Sequence, residues 1–551
     1  MTDATPWWKK AVIYQIYPRS FQDSNGDGIG DIPGIISRLP YLEKLGIDAI
    51  WLSPVYRSPQ DDNGYDISDY QDIDPIFGTL SDMDRLIAEA GKRGIRIIMD
   101  LVLNHSSDEH PWFLEAKKSR DNPFHDYYIW RDGDGIHPPD ETKASFGGSA
   151  WEWVPGIGQY YFHQFSVKQP DLNWKNPRLR SALYSMIRWW TQRGIRGFRL
   201  DVVDHLGKDP DLGIKVNGPM LHPYLREMRL QAFSDPGLVT VGEAWSADTD
   251  SAKLYSNPDG SELSMVFQFD HMKLDQRPEG DKWDLVPPDF IALKQIFTKW
   301  QRGLSGCGWN SLFWENHDLP RSISHLADDG EYRIPSAKML AILLHGMQGT
   351  PYVYQGEELG MTNAWDFTLE EYQDIEIRNM IREKRAAGLP DEEILRRVRS
   401  KGRDNARTPM QWDAGPQAGF SSGTPWLRVN PNYREINAAS QVDRPGSVFE
   451  CYRTLIRLRK ELPVFTDGTY VPLLEDHEKL FAYRRQDSGS ELLVICNFSA
   501  GCTENPLAAE TAEGELLVCS YESAGQPSVL RPYEARMYLK TRDLGKDEAN
   551  E

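Results

Sequence analysis

The chain of 551 residues has little cysteine, no long apolar run and fewer basic than acidic residues. Its five cysteines are scattered and form no CxxC pair, which argues against a disulfide framework and a zinc site. The longest apolar runs, such as 339–344, are far shorter than the roughly 20 residues that span a bilayer. The N-terminus lacks an apolar signal core, so we expect a cytoplasmic protein without membrane association.

The excess of acidic over basic residues limits the classes of molecule that the protein is expected to bind. With 62 Lys and Arg against 82 Asp and Glu, the formal net charge is -20. This charge disfavours binding to the phosphate backbone of nucleic acids and to acidic membranes. We therefore expect a small, neutral partner, no nucleic acid and no obligate protein partner.

Short apolar runs alternate with amphipathic segments over about 450 residues, which predicts a parallel sheet covered by helices. The clearest predicted helix starts near Ser81 and ends at Gly94. Seven runs are predicted strands, and their number favours a (β/α)8 barrel over a short open sheet. An eighth strand has no clear position, with a region near Leu473 or earlier as the candidate. The seven predicted strands are 12–17, 49–53, 96–101, 197–201, 239–243, 311–314 and 351–354.

Two regions break this alternation. Residues 105–174 are rich in Trp, Pro, Gly and Asp and read as an insertion after the third strand. After residue 466, alternating strands separated by turns predict a small antiparallel all-β domain. The predicted division is a barrel formed by 1–104 and 175–465, an insertion domain 105–174 and a C-terminal domain 466–551.

Polar residues follow four predicted strands in succession. Such residues point into the site of a barrel, and Asp201, Glu243 and Asp318 are three carboxylates among them. Glycoside hydrolysis needs one ionised and one protonated carboxyl group, so these residues point to that chemistry. Arg199 lies two residues before Asp201 on the same strand face, and we expect it to lower the pKa of Asp201. Glu243 would need a raised pKa, which like-charged neighbours favour.

Six motifs, in this order along the chain, resemble the signature regions of the α-amylase family of glycoside hydrolases, on its oligo-1,6-glucosidase branch. They are GYDI (64–67), DLVLNH (100–105), QPDLN (169–173), GFRLD (197–201), GEAW (242–245) and ENHD (315–318). The resemblance implies a TIM barrel with an insertion domain after strand 3 and a C-terminal β-sandwich. It implies that Asp201 is the nucleophile, Glu243 the general acid/base and Asp318 a transition-state stabiliser. The implied subsite for the reacting sugar contains Tyr65, His105, Arg199 and His317.

The same resemblance implies an exo-acting α-glucosidase with a pocket closed behind the terminal glucose. An Asp66–Arg403 pair is the expected closure, with Arg403 taken from GRDNARTPMQW (402–412). The insertion contributes Phe146 and Phe165, which are expected to pack on the sugar.

The residue after the nucleophile, Val202, is typical of relatives that cleave α-1,6 bonds. Residues 204–208 look most like dextran glucosidase (glucan 1,6-α-glucosidase), and by that analogy Trp245 and Lys282 contact the next sugar. Trehalose-6-phosphate hydrolase is the main alternative, because it also has Val at this position. An α-1,4-active α-glucosidase and an isomaltulose synthase stay open. A catalytically inactive transporter-partner subunit is disfavoured, because all three carboxylates are present and no membrane helix is predicted.

The loop DSNGDGIGD (23–31) carries hard side-chain oxygens at alternating positions and glycines that let the backbone curl. An EF-hand would need a bidentate Glu at the twelfth position, which is Gly34 here. The resemblance instead implies a structural, non-catalytic Ca²⁺ site. Its implied ligands are Asp23, Asn25, Asp27, the carbonyl of Ile29 and Asp31.

Overall fold

A computed structural model describes residues 5–541. Eight parallel strands form one sheet, in which the first six pair each with the next along the chain and the eighth pairs with both the first and the seventh. A parallel bridge between Val266 and Asn310 closes the ring. This arrangement confirms the predicted TIM barrel. The strands are β1 Ile13–Ile16, β2 Ala49–Leu52, β3 Arg96–Leu101, β4 Gly197–Leu200, β5 Val239–Glu243, β6 Met265–Phe267, β7 Ser311–Leu312 and β8 Thr350–Tyr354.

The strand without a clear position in the sequence is β6. It has only three residues, too few to show a period, and its pairing of Met265 with Val241 of β5 defines it. The alternative region, Thr469–Leu473, belongs to the C-terminal sheet, where it pairs antiparallel with Leu480–Gln486.

Helices surround the barrel. The predicted helix near Ser81 spans Leu80–Lys92 and begins with a reciprocal capping box between Thr79 and Asp82. It buries Met83, Leu86 and Ala90 at helical spacing, as the sequence predicts. The other long helices are Ile32–Leu45, Pro177–Arg193, Leu221–Ala232, Phe290–Gly303, Arg333–His345, Ile375–Ala386, Asp391–Lys401 and Val448–Glu461. In residues 5–541, no helix has the length and apolar character needed to cross a bilayer.

Two further sheets lie in the regions that break the alternation. Between β3 and β4, Trp130–Asp132, Gln159–Phe162 and Trp151–Val154 form a small antiparallel sheet. At the C-terminus, five antiparallel strands run in the order Thr469–Leu473, Leu480–Gln486, Ser490–Asn497, Ala535–Thr541 and Glu515–Cys519. Residues 542–551 of the predicted C-terminal domain lie outside the described residues. The sheet is fixed to the barrel, since the Tyr483 hydroxyl donates to the Leu343 carbonyl at 2.6 Å.

Candidate active site

A cavity of about 310 Å³ opens where the barrel strands end, as expected for this fold. Eleven of the residues proposed from the sequence line it. They are Tyr65, His105, Phe146, Phe165, Asp201, Val202, Glu243, Trp245, Lys282, Asp318 and Arg403. Arg199 and His317 are fully buried and contact these lining residues from below.

Arg199 holds three carboxylates together. Its Nη1 donates to Asp100 Oδ1 at 2.8 Å and to Asp201 Oδ1 at 2.6 Å, and its Nη2 lies 2.6 Å from Glu243 Oε2. Arg199 and Asp201 share a side of β4 because strand side chains alternate, while Asp100 and Glu243 come from the neighbouring strands β3 and β5. One guanidinium thus fixes the two proposed reacting groups against each other.

Both oxygens of Glu243 are oriented by further donors. The indole N–H of Trp245 donates to Oε1 at 2.9 Å, and the backbone N–H of Val202 donates to Oε2 at 3.0 Å. Val202 has φ 35° and ψ 51°, a left-handed conformation that is costly for a β-branched residue. In this strained conformation the Val202 N–H, which directly follows Asp201 in the chain, points towards Glu243. A short strained backbone segment therefore connects the two carboxylates.

The expected direction of the Asp201 pKa was wrong. Burial raises the pKa of Asp201 well above its ordinary value, and the charges of Glu243 and Asp100 add to this effect. Arg199 opposes the shift but is shared among three carboxylates, so its single charge does not outweigh burial.

Asp318 lies in the opposite electrostatic environment. Burial alone would raise its pKa, but the charges of His317, Arg403 and Arg407 outweigh burial and hold the pKa well below its ordinary value. The shortest of these contacts joins Arg407 Nη2 to Asp318 Oδ1 at 2.7 Å. His317 is itself fixed, because its Nε2 contacts the Tyr65 hydroxyl at 2.6 Å. Asp318 is thus kept ionised.

The expected Asp66–Arg403 pair is not formed. Both oxygens of Asp66 are occupied by the backbone N–H groups of Asp61 and Asp62 and by the Ser58 hydroxyl, and the side chain is fully buried away from the cavity. Asp62 takes the expected place, since it lines the cavity and its Oδ1 lies 3.6 Å from Arg403 Nη2. Asp66 is a loop-closing residue, because a carboxylate readily accepts several N–H groups in a tight turn.

We expect Asp66→Ala and Asp62→Asn to separate these two roles. Asp66→Ala leaves buried N–H groups unpaired, at a cost of about 1–3 kcal/mol in the free energy of unfolding. Asp62→Asn should instead leave the melting temperature near that of the wild type and lower kcat/KM by about tenfold to a hundredfold, as expected for the loss of one hydrogen bond between the charged carboxylate and a sugar hydroxyl. Differential scanning fluorimetry and steady-state kinetics on both variants test this. The reverse pattern would restore Asp66 as the pocket residue.

Other site residues were missed in the sequence. Arg403 also contacts Asp374 at 2.6 Å and Glu376 at 3.4 Å, and Arg407 contacts Asp374 at 2.9 Å. Arg407 is the second arginine of the GRDNAR motif and could have been proposed from it. Nothing in a single sequence connects Asp374 and Glu376 to this loop. Missed residues that line the cavity are Asp62, Met272, Lys273, Gln276, Leu319, Pro320, Glu376 and Lys401.

The two residues proposed for the next sugar, Trp245 and Lys282, both line the cavity. The Trp245 ring stacks on Phe269 with centroids 3.8 Å apart. The ammonium of Lys282 is bound by the Glu376 carboxylate. On the insertion side, Phe146 and Phe165 pack together with centroids 5.5 Å apart, and Phe165 also packs on His105.

In the 23–31 loop, side-chain oxygens accept backbone N–H groups. Asp23 accepts from Asn25, Gly26 and Gly28, and Asp27 accepts from Ile29. The oxygen donors suit Ca²⁺ in kind. Nevertheless, over residues 5–541 no group of three His, Cys, Asp or Glu side chains is arranged to hold a metal ion. This finding does not cover the Asn25 side chain or the Ile29 carbonyl, so the Ca²⁺ site stays a prediction.

The barrel and its paired carboxylates at the ends of β4 and β5 define a glycosidase-type site. Comparison with known proteins gives the family. The model of the α-amylase catalytic domain matches residues 15–468. An oligo-1,6-glucosidase from Halalkalibacterium halodurans is 52% identical over 557 residues, covering 97% of this chain and 99% of that protein. A glucan 1,6-alpha-glucosidase from Streptococcus pneumoniae is 54% identical over 539 residues, covering 96% and 98%.

Among solved structures, the trehalose-6-phosphate hydrolase of Bacillus licheniformis superposes with a TM-score of 0.93 at 46% identity, covering 98% of this chain and all of that one. The chain therefore belongs to the α-amylase family, glycoside hydrolase family 13, and is a glycoside hydrolase.

Proposed function

We propose that this protein is a retaining exo-acting α-glucosidase that releases glucose from the non-reducing end of α-1,6-linked isomalto-oligosaccharides and dextran. The observation that carries the proposal is that Arg403, which contacts Asp62, Asp318 and Asp374, lines the same cavity as Asp201 and Glu243. We take this ion cluster as the closed end of the pocket, which would admit one terminal sugar. The relatives named for 1,6-glucosidase activity support the linkage.

In the proposed mechanism, Asp201 Oδ attacks the anomeric carbon while Glu243 gives its proton to the glycosidic oxygen, which leaves with the remaining chain. Glu243 then takes a proton from water, and the resulting hydroxide displaces Asp201 from the anomeric carbon. Two inversions give net retention. Asp318 stays ionised throughout and accepts hydrogen bonds from sugar hydroxyls, which strengthen as the ring distorts.

The charges around the cavity favour a neutral leaving sugar. Three lysines line it, but Lys282 is paired with Glu376 and Lys401 with Asp275. Lys273 is exposed and donates to the Trp245 carbonyl at 3.0 Å. A phosphate would need clustered cations that are free to bind it. Trehalose-6-phosphate hydrolase is therefore the second candidate, supported by the presence of the three lysines and by the similarity to the Bacillus licheniformis enzyme.

Initial rates of glucose release at equal concentrations of isomaltose, isomaltotriose, maltose, sucrose and trehalose 6-phosphate test the proposal. We expect rapid release from the isomalto-series and little from trehalose 6-phosphate. Preference for the phosphorylated disaccharide would replace the substrate assignment, and conversion of sucrose to an isomer would indicate an isomaltulose synthase. The anomer formed first, observed by NMR, tests retention.

We also propose that the 23–31 loop binds structural Ca²⁺ through Asp23, Asn25, Asp27, the Ile29 carbonyl and Asp31. Because Ca²⁺ would bind the folded loop alone, saturating the site should stabilise the fold by about 2.7 kcal/mol at a hundredfold excess over Kd. We expect Ca²⁺ to raise the melting temperature relative to EDTA and to leave kcat unchanged. Asp27→Ala should abolish this response, whereas an equal response in wild type and variant would place the ion elsewhere.

A further inference from the structure

The loops that follow β4 and β5 are joined a second time, beyond the contact between Val202 and Glu243. Asp204 lies two residues after Val202, and Ser246 lies three residues after Glu243. The Asp204 side chain is buried, and its Oδ2 accepts both the backbone N–H of Ser246, at 3.1 Å, and the Ser246 hydroxyl. We call these two hydrogen bonds the Asp204–Ser246 clamp. The clamp ties the loop after the proposed nucleophile to the loop after the proposed acid/base.

Both partners of the clamp are held by further contacts. Asp204 lies in a short turn of 3₁₀ helix, and its carbonyl accepts the backbone N–H of Asn217 at 2.9 Å. The side-chain amide of Asn217 in turn donates to Ser246 Oγ at 3.0 Å. The turn also packs closely on β5, since a Cβ atom at Gly242 would lie 2.7 Å from Val203 Cγ1. The two loops therefore have little room to move apart.

The left-handed conformation of Val202 needs support of this kind. A strained backbone conformation costs about 1–3 kcal/mol and persists only where the surrounding structure enforces it. On the N-terminal side of Val202, Asp201 is held by Arg199 at 2.6 Å. On the C-terminal side, the chain is held by Asp204. If that side were released, Val202 could relax, and its N–H would no longer point at Glu243 Oε2, which lies 3.0 Å away.

The contacts of Asp204 are directed at Ser246 and not at the substrate cavity. Among residues 5–541, Asp204 is not one of those that line the cavity. Its Oδ1 is buried and has no hydrogen-bond partner in the described part of the chain, with His205 Nε2 at 3.9 Å. A buried, half-satisfied carboxylate is costly, and burial raises the pKa of Asp204. Its oxygen that does have partners binds the loop that carries Glu243.

We infer that Asp204 is a positioning residue, which through the Asp204–Ser246 clamp holds the left-handed turn at Val202 and keeps Glu243 oriented as the general acid. The inference rests on the proposed function, since it takes Glu243 as the proton donor. Loss of the clamp should impair the step that needs this proton. It should spare the attack by Asp201, because Arg199 holds that side chain independently of the clamp.

Asp204→Ala tests this with two substrates that differ in their need for an acid. We expect kcat for isomaltose to fall by about tenfold to a hundredfold, because small displacements of a catalytic group have effects of this size. The rate constant for fluoride release from α-glucosyl fluoride should change little, since fluoride leaves without a proton. KM for isomaltose should also change little. Steady-state kinetics and stopped-flow release of fluoride measure these quantities, and circular dichroism reports whether the variant is folded.

Three further variants sharpen the test. Asp204→Asn keeps an oxygen that can accept from Ser246, and it should recover most of the lost kcat. Ser246→Ala removes the hydroxyl but keeps the N–H, so it should show a smaller loss confined to isomaltose, and it serves if Asp204→Ala does not fold. Asp209→Ala is the matched control, because this carboxylate follows in the same loop but binds Lys175 at 2.7 Å. It should leave both rates unchanged.

Equal losses with isomaltose and α-glucosyl fluoride in Asp204→Ala would overturn the positioning role, because a general disturbance of the site would then explain both. An unchanged kcat for isomaltose in Asp204→Ala and Ser246→Ala would overturn it as well. Failure of the proposed function is a different result, in which the wild type itself releases no glucose from isomaltose.

Discussion

Asp201→Asn is expected to lower kcat for isomaltose by about 10⁴-fold or more, because an amide cannot form the covalent intermediate. The folded state should persist, since Asn keeps the size of the side chain and an acceptor for Arg199 Nη1, which lies 2.6 Å from Asp201 Oδ1. The loss should extend to α-glucosyl fluoride, whose leaving group needs no proton, because the nucleophile acts on every substrate.

Glu243→Gln, compared with Asp201→Asn, distinguishes the general acid from the nucleophile. Removal of a general acid lowers kcat by about 10²–10⁴-fold for isomaltose. Fluoride leaves without protonation, so the rate constant of the first step with α-glucosyl fluoride should fall much less than kcat for isomaltose. Stopped-flow release of fluoride and steady-state release of glucose measure the two steps. If Asp201→Asn retained fluoride release and Glu243→Gln lost it, the assignments of nucleophile and general acid would have to be exchanged.

Arg199→Met is expected to have the largest effect on stability. It removes the buried guanidinium that contacts Asp100, Asp201 and Glu243. Breaking a buried ion cluster by removing one partner costs about 3–5 kcal/mol, because the remaining charges stay buried without compensation. Chemical denaturation and activity assays should both show a loss. A variant as stable as the wild type would mean that the carboxylates are already neutral.

The destabilisation in Arg199→Met should depend on pH. Burial raises the pKa values of Asp100 and Asp201 in the wild type, and removal of the guanidinium raises them further. A carboxyl group whose pKa is higher in the folded state than in the unfolded state contributes its full stabilisation below the unfolded pKa of about 3.9. This stabilisation is lost as the pH rises through the pKa of the folded state. The difference between variant and wild type should therefore grow as the pH rises from the folded pKa values of the wild type towards the higher folded pKa values of the variant.

Arg199→Lys separates charge from geometry. It restores a buried positive charge and should recover part of the lost stability. A single ammonium cannot place donors in the fixed fork that reaches three carboxylates, so activity should stay low. Full recovery of kcat in Arg199→Lys would show that only the charge matters.

Local pattern determined most of the barrel. The helix Leu80–Lys92 is fixed by a capping box and a periodic apolar face, both of which involve residues close in sequence. The same holds for the β4 sequence, where alternation places Arg199 and Asp201 on one side. The strand β6 could not be found this way, because three residues carry no period and its place depends on β5 and β7.

The sequence by itself determined the fold class and the candidate carboxylates, because strand–helix alternation and motifs at strand ends are local features. Only the tertiary structure decided which acid faces Arg403. Asp62 and Asp66 lie four residues apart in one turn, and their roles depend on which carboxylate the turn's own N–H groups occupy. The pKa direction of Asp201 was likewise decided by burial and by carboxylates from β3 and β5. Burial and contacts between distant segments exist only after the chain has folded.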